Sequence, residues 1–186
     1  MNYPESLYNY YRKNPDFEQR NTKTGKKILY FVLAAICLFL TIFPSYLPIP
    51  GWITIVIGIV GVLYFGFSAY LITGDWYNKH TNGMITEKAI KKFRNPARGT
   101  VPGGEGDVRI MEMFANEDWA ALANESAADD RPMQLYIHED KAAKVFYLQL
   151  MRYFSSSDFH GITEVKVVDG KDKPEEYEII SKIRTT

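Results

Sequence analysis

Apolar positions in this chain are massed in one place before they begin to alternate. Residues 28–74 form a run of 47 without a single Lys, Arg, Asp, Glu or His. A bilayer core of about 30 Å needs about 20 apolar helical residues, so the run predicts two membrane spans with a tight connection. The first apolar block, ILYFVLAAICLFLTIF (28–43), reaches only about 24 Å at about 1.5 Å per residue. Its span is therefore placed at about 26–46. The second, 52–73, reaches about 33 Å, enough to cross with some tilt.

The connection PSYLPIPG (44–51) carries three prolines and a glycine. Proline lacks a donor and crowds the preceding turn, so the chain reverses here, at an interface where water satisfies the freed backbone groups. Tyr46 and Trp52 fall at that interface and Tyr30 and Tyr70 near the other, with Trp76 and Tyr77 as further anchors, because amphipathic rings favour headgroup depth. A hairpin buried in a globular core is disfavoured: a chain of 186 residues cannot cover two helices apolar on every side. A cleaved signal peptide is also disfavoured, because the apolar run starts late and a second span follows it. Gly58, Gly61, Gly66, Ser68 and Ala69 let another helix approach the second span closely. The first span is the natural partner. No strict GxxxG is present, so self-association stays a weaker alternative. Cys37, mid-span, reads as a small packing residue.

Outside the run the pattern turns amphipathic. The tail, 1–27, is rich in tyrosine (Tyr3, Tyr8, Tyr10, Tyr11), with Leu7 and Phe17. A short helix there would lie at headgroup level or dock on the soluble part. In 75–98, Ile85, Ala89 and Phe93 recur every four residues among lysines, which predicts a basic juxtamembrane helix. In 99–186 the pattern is mixed: strands at 108–114, 133–138, 145–153 and 163–168, a short helix capped by Asn116, and a terminal helix begun by Asp172 and Glu175 around Pro174. A helix over 141–154 competes with the strand there. The expected fold is an N-terminal two-helix transmembrane hairpin followed by a small α+β cytosolic domain, an antiparallel sheet with short helices.

Charge refines this picture. Six basic residues precede the first span (Arg12, Lys13, Arg20, Lys23, Lys26, Lys27) and six follow the second up to Arg98 (Lys79, Lys88, Lys91, Lys92, Arg94, Arg98), with none in the connection. Positive flanks stay inside, so both termini are expected in the cytosol of a bacterial cell, the protein being multi-pass in the cytoplasmic (inner) membrane. Lys26, Lys27, Lys88, Lys91, Lys92 and Arg94 are the expected contacts to anionic lipid. Residues 99–186 hold 10 basic and 17 acidic side chains, a net of −7, which argues against nucleic-acid binding.

Candidate chemistry is sparse. One cysteine excludes an internal disulfide and multi-cysteine metal sites. His80, His138 and His160 show no metal spacing; His138 with Asp140 is a conceivable ligand pair, but a strand-end polar cluster is commoner. Ser155, Ser156, Ser157, Asp158 and His160 crowd together as turn-formers do, not as a triad drawn from separate elements. TVPGGEGD (100–107) has acids where a phosphate loop needs a positive cradle, so it reads as a linker. Asp129–Asp130 and Glu175–Glu176 are adjacent and do not converge. No ionisable group lies within the spans, against a transporter.

The sequence thus predicts no enzyme, cofactor or metal. The expected role is a non-enzymatic accessory or assembly subunit of a membrane complex, with the lipid bilayer and other complex subunits (or its own copies) as partners. The alternative is an effector whose cytosolic domain senses a small ligand and drives oligomerisation of the hairpin. A membrane-surface enzyme using His138, Asp158 or His160 is a third class.

Overall fold

The computed structural model describes residues 6–93, 105–126, 133–155 and 158–186. In chain order its elements are α1 (Leu7–Lys13), β1 (Phe17–Arg20), α2 (Thr24–Ile42), a 3-10 turn (Pro44–Tyr46), α3 (Gly51–Leu71), β2 (Asp75–Asn78), β3 (Ile85–Lys92), α4 (Glu105–Ala115), α5 (Trp119–Asn124), β4 (Met133–Asp140), β5 (Val145–Ser155), β6 (Asp158–Gly161), β7 (Lys166–Asp169) and α6 (Pro174–Ser181). The fold is α+β, with two apolar helices near the N-terminus and antiparallel sheets. It divides into two compact units: Gln19–Asp75, and the described residues up to Glu18 together with those from Trp76 onward.

The first unit is a helical hairpin. α2 and α3, of 19 and 21 residues, are both long and apolar enough to cross a membrane. α2 buries none of its residues, and α3 buries Thr54, Gly58 and Ala69 alone. The two helices pack through small residues. A Cβ on Gly58 would sit 2.2 Å from Thr41 Oγ1 and 2.8 Å from the Cys37 carbonyl oxygen, and one on Gly61 would sit 2.4 Å from Cys37 Sγ. Thr41 donates its hydroxyl to the Cys37 carbonyl at 2.9 Å, so its polar group is satisfied inside its own helix. Gly66 has open space around it. Tyr30 packs on Phe65 with ring centroids 6.0 Å apart. At the base of the hairpin, Lys23 bonds Asp75 at 2.7 Å and the Thr22 hydroxyl donates to the same carboxylate. These bonds, that from Lys23 first, hold the Asp75 carboxyl below its usual range.

The second unit is built on β5. Of its 11 residues, Val145–Arg152 pair with β4, which in turn pairs with β3. The opposite edge of β5 carries β7 against Val145–Leu148 and β6 against Met151–Ser155. One face of the sheet buries Leu135, Ile137, Phe146, Leu148 and Leu150 under α4, α5 and α6, which add Ile110, Phe114, Trp119, Leu122 and Ile180. Part of the other face, around Ile85, Val145 and Tyr147, is covered by Leu7, Tyr11 and Phe17 from the N-terminal segment. With both faces covered, β5 is buried continuously from Val145 to Arg152, as expected of a strand clothed on both sides.

Several expectations need correction. Residues 108–114 are not a strand but the body of α4: Ile110 and Phe114, four apart, are the buried pair, while Val108 and Met111 face outward. The basic juxtamembrane helix of 75–98 does not form, since 75–78 and 85–92 are strands. A bulge between Glu87 and Ala89 shifts the phase of β3, so Ile85 joins one face and Ala89 and Phe93 the other. That shift imitates helical spacing. The competing helix over 141–154 is likewise absent. α5 is capped by Asp118, which accepts from the Ala121 N–H at 2.9 Å, rather than by Asn116. The terminal helix has Pro174 in its first turn and Lys173 at its N-cap without a side-chain cap bond, so Asp172 and Glu175 form no box. β6 was not expected. Ser156 and Ser157 of its hairpin, like most of the linker at 100–107 and the pair Asp129–Asp130, lie outside the described residues.

The hairpin geometry yields a contrast within one helix. Gly58→Ala should destabilise helix packing by about 1–3 kcal/mol through overpacking, whereas Gly66→Ala should leave it unchanged. Thermal unfolding of the two variants in the same detergent micelle checks this.

Candidate functional site

The residues with the most distinctive chemistry gather on the second face of the sheet, under the N-terminal segment. His138 and Asp140 project from β4 and Tyr147 from β5, in the alternation that the β4–β5 register sets. Leu7 and Tyr11, four apart on α1, bury against them with Phe17. The Tyr11 ring stacks on the His138 imidazole, centroids 5.8 Å apart and planes 18° from parallel, and meets Tyr147 and Phe17 edge-on at 5.6 and 5.0 Å. Trp76 closes the cluster against Tyr8 and Tyr11.

Burial governs the ionisation of this cluster. It pulls the His138 pKa down to about 4, leaving the ring neutral at physiological pH. Burial, reinforced by Tyr147, pushes Tyr11 well up, and burial with the Asp140 carboxylate nearby does the same to Tyr147. Tyr11 therefore keeps its proton, and its hydroxyl is hydrogen-bonded to His138 Nδ1 at 3.2 Å, the imidazole tautomer setting which of the two donates. This is a neutral, stacked contact that fastens α1 to the sheet.

His138 and Asp140 share a face but do not form a ligand pair. His138 is taken by Tyr11, while Asp140 accepts from Thr81 Oγ1 at 2.8 Å and from the N–H groups of Ala142 and Ala143 at 3.0 and 3.1 Å. That carboxylate organises the β4–β5 turn. Gly83 is required beside it, because a Cβ there would meet Asp140 Oδ1 at 2.0 Å. Among the described residues no group of three or more His, Cys, Asp or Glu side chains is placed to hold a metal. His80 pairs with Asp16 at 3.0 Å on an exposed edge. Ser155 and Asp158 face each other across the β5–β6 hairpin, and His160 lies opposite Arg152.

On the helical face, Glu117 at a positive φ of 59° binds Lys173 at 2.6 Å and Lys166 at 3.0 Å. Both contacts hold its carboxyl below the usual range, the Lys173 bond contributing most. The Trp119 indole donates to Glu176 at 2.7 Å. Tyr177 donates to the buried Glu139 at 2.8 Å; burial first, then that bond, pushes its pKa to about 12. These contacts lock α5 and α6 onto the sheet.

The residues expected at a membrane interface separate into two groups. Tyr46, Trp52 and Tyr70 are the most exposed large rings of the hairpin, at 71, 70 and 78 %. Tyr30 is half-buried beside Phe65, with the Lys26 ammonium 5.7 Å above its ring. Trp76, by contrast, belongs to the aromatic cluster, and Tyr77 bridges to Met84 across a strand pair. Of the expected lipid-contact cations, Lys26 and Lys88 are exposed and Lys27 and Lys92 half-buried. Lys91 is buried and donates to the Ala123 carbonyl, so it is not a surface contact. Arg94 lies outside the described residues. Tyr11 and Tyr147 were missed as partners of His138 because no local spacing links positions so far apart in the chain.

Because the unfolded chain protonates histidine near pH 6.5 and the folded one only near 4, stability should fall as pH drops through that window. The loss is on the order of 3 kcal/mol at most. Urea unfolding followed across that range should show the slope, and His138→Gln should flatten it. Comparison with family models, curated proteins and solved structures finds no match to this chain.

Proposed function

We propose that the chain is an integral protein of the bacterial cytoplasmic membrane: a two-span hairpin with a cytosolic unit that acts as a non-enzymatic docking module for a larger membrane complex. One observation carries this reading. The segment before the hairpin and the strands after it share a single aromatic core, in which Leu7, Tyr11 and Phe17 pack with Ile85, Val145 and Tyr147. Two flanks folded into one core lie on one side of any bilayer, so the hairpin crosses an even number of times. The six basic residues on each flank, against none in the connection, favour the cytosolic side.

The exposed apolar surface of α2 and α3 supports insertion. Ile28, Phe31, Val60, Leu63 and Phe67 all stand more than half exposed, and in lipid such surface carries no hydration cost. The docking role draws on charge. Residues 99–186 carry a net of −7, which suits a partner with a basic face and speeds its encounter. Asp172 and Glu175 at the start of α6 are exposed and stand free of the packed core.

Affinity isolation in mild detergent should recover a partner in fixed stoichiometry. Its association should weaken with salt and with Asp172→Lys combined with Glu175→Lys. A solitary monomer, or binding indifferent to both changes, would remove the docking role while leaving the membrane assignment in place.

A further inference from the structure

We infer that the cytosolic unit holds a binding cleft for a small organic anion, between α5, α6 and the end of β3. The cleft has a volume of about 490 Å³, within the range of small-molecule sites. Its wall combines Lys91, Lys182, Arg184 and the Asn124 amide with the apolar side chains of Ile179 and Ile183. Among the described residues, three cationic side chains line it, with Thr186 also at the wall, although the surrounding stretch, 99–186, is acidic overall.

Lys91 is the anchor. The residue is only 5 % exposed. An ammonium carries three donors, and this one gives one to the Ala123 carbonyl at the end of α5. The Phe93 ring lies 6.0 Å from Nζ, and the Glu125 carboxylate acts on the ammonium through space. The nearby carboxylates are engaged elsewhere: Glu125 with Arg109 at 2.6 Å, and Glu178 with Lys182 at 2.7 Å. A buried ammonium that no carboxylate bonds directly is costly. Desolvation accordingly lowers the Lys91 pKa, with Glu125 opposing it only in part. Capping α5 accounts for one of the three donors, and Lys91 is among the residues that line the cleft.

An anionic head group placed there would accept from Lys91. The Arg184 guanidinium, exposed and without a partner among the described residues, supplies the planar fork that matches phosphate or carboxylate. Lys182, bonded to Glu178 at 2.7 Å, stands beside it at the wall. Ile179 and Ile183 form a wall for a short hydrocarbon body. The ligand class is therefore a phosphate monoester or carboxylate with a small aliphatic part, bound from the aqueous side.

The test is a titration of the full chain, in uncharged micelles, with butyl phosphate against sodium chloride of equal ionic strength, followed by thermal unfolding and calorimetry. The expected result is saturable binding with a rise in Tm of roughly 3 °C or more when the probe reaches about tenfold Kd. Lys182→Gln with Arg184→Gln, both at exposed positions, should weaken binding about tenfold or more, as expected for loss of charge-assisted bonds. Lys91→Met should abolish it. A response equalled by chloride, or an affinity unchanged in the double variant, overturns the assignment. So does a response that requires phosphatidylglycerol discs and is absent from phosphatidylcholine discs, since that would give the cations to lipid head groups.

Discussion

The outward surface of α2 and α3 is the apolar constraint on which the proposed membrane placement depends. Each helix can turn only one side to the other, and that shared seam is narrow, built from Gly58, Gly61, Cys37 and Thr41. The remaining circumference is mostly isoleucine, leucine, valine and phenylalanine with tyrosine and tryptophan rings, and no charge from 28 to 74. At about 25 cal/mol per Å² of exposed apolar area, the penalty in water rises with every such side chain. Lipid removes it without a further protein layer. The backbone suits the same solvent, because each helix satisfies its own N–H and C=O groups and Thr41 returns its hydroxyl to a carbonyl one turn back.

Independently of the proposed solvent, α1 matters to the second unit. A seven-residue helix has little stability of its own. Its order comes from tertiary burial of Leu7 and Tyr11, from the Tyr11–His138 bond and from the edge-on contacts with Tyr147 and Phe17. The unit beyond the hairpin is small, and small domains bury a limited fraction of their surface. Recruiting a segment from the other end of the hairpin enlarges its core. The same contact ties the two flanks together.

How far this could be read beforehand depended on how local each signal was. The apolar run announces two helices because every residue in it agrees, and Pro44, Pro48 and Pro50 mark where the chain must turn. Strands β4 and β5 were legible from their aromatic and β-branched content. The failures share one cause, a short pattern open to two periods. In β3 the bulge at Glu87–Ala89 put apolar residues four apart, as a helix would. In α4 the order VRIMEMF alternates as a strand would, yet Ile110 and Phe114 are the pair that packs. Lys91 looked like one more surface lysine of a basic helix; placed on a strand under α5, it became a buried cation. Docking of the tail on the soluble part is one of the two readings its tyrosines allow, and it holds; the target was not legible, because Tyr11 and His138 are 127 positions apart and only the sheet brings them together.

The most direct measurement is the partition of the intact chain between membrane and supernatant after alkaline carbonate washing and ultracentrifugation without detergent. Lipid solvation of the hairpin predicts that the protein stays wholly in the pellet and is released by detergent alone. Recovery in the supernatant as a monodisperse, folded particle would contradict the account at its base.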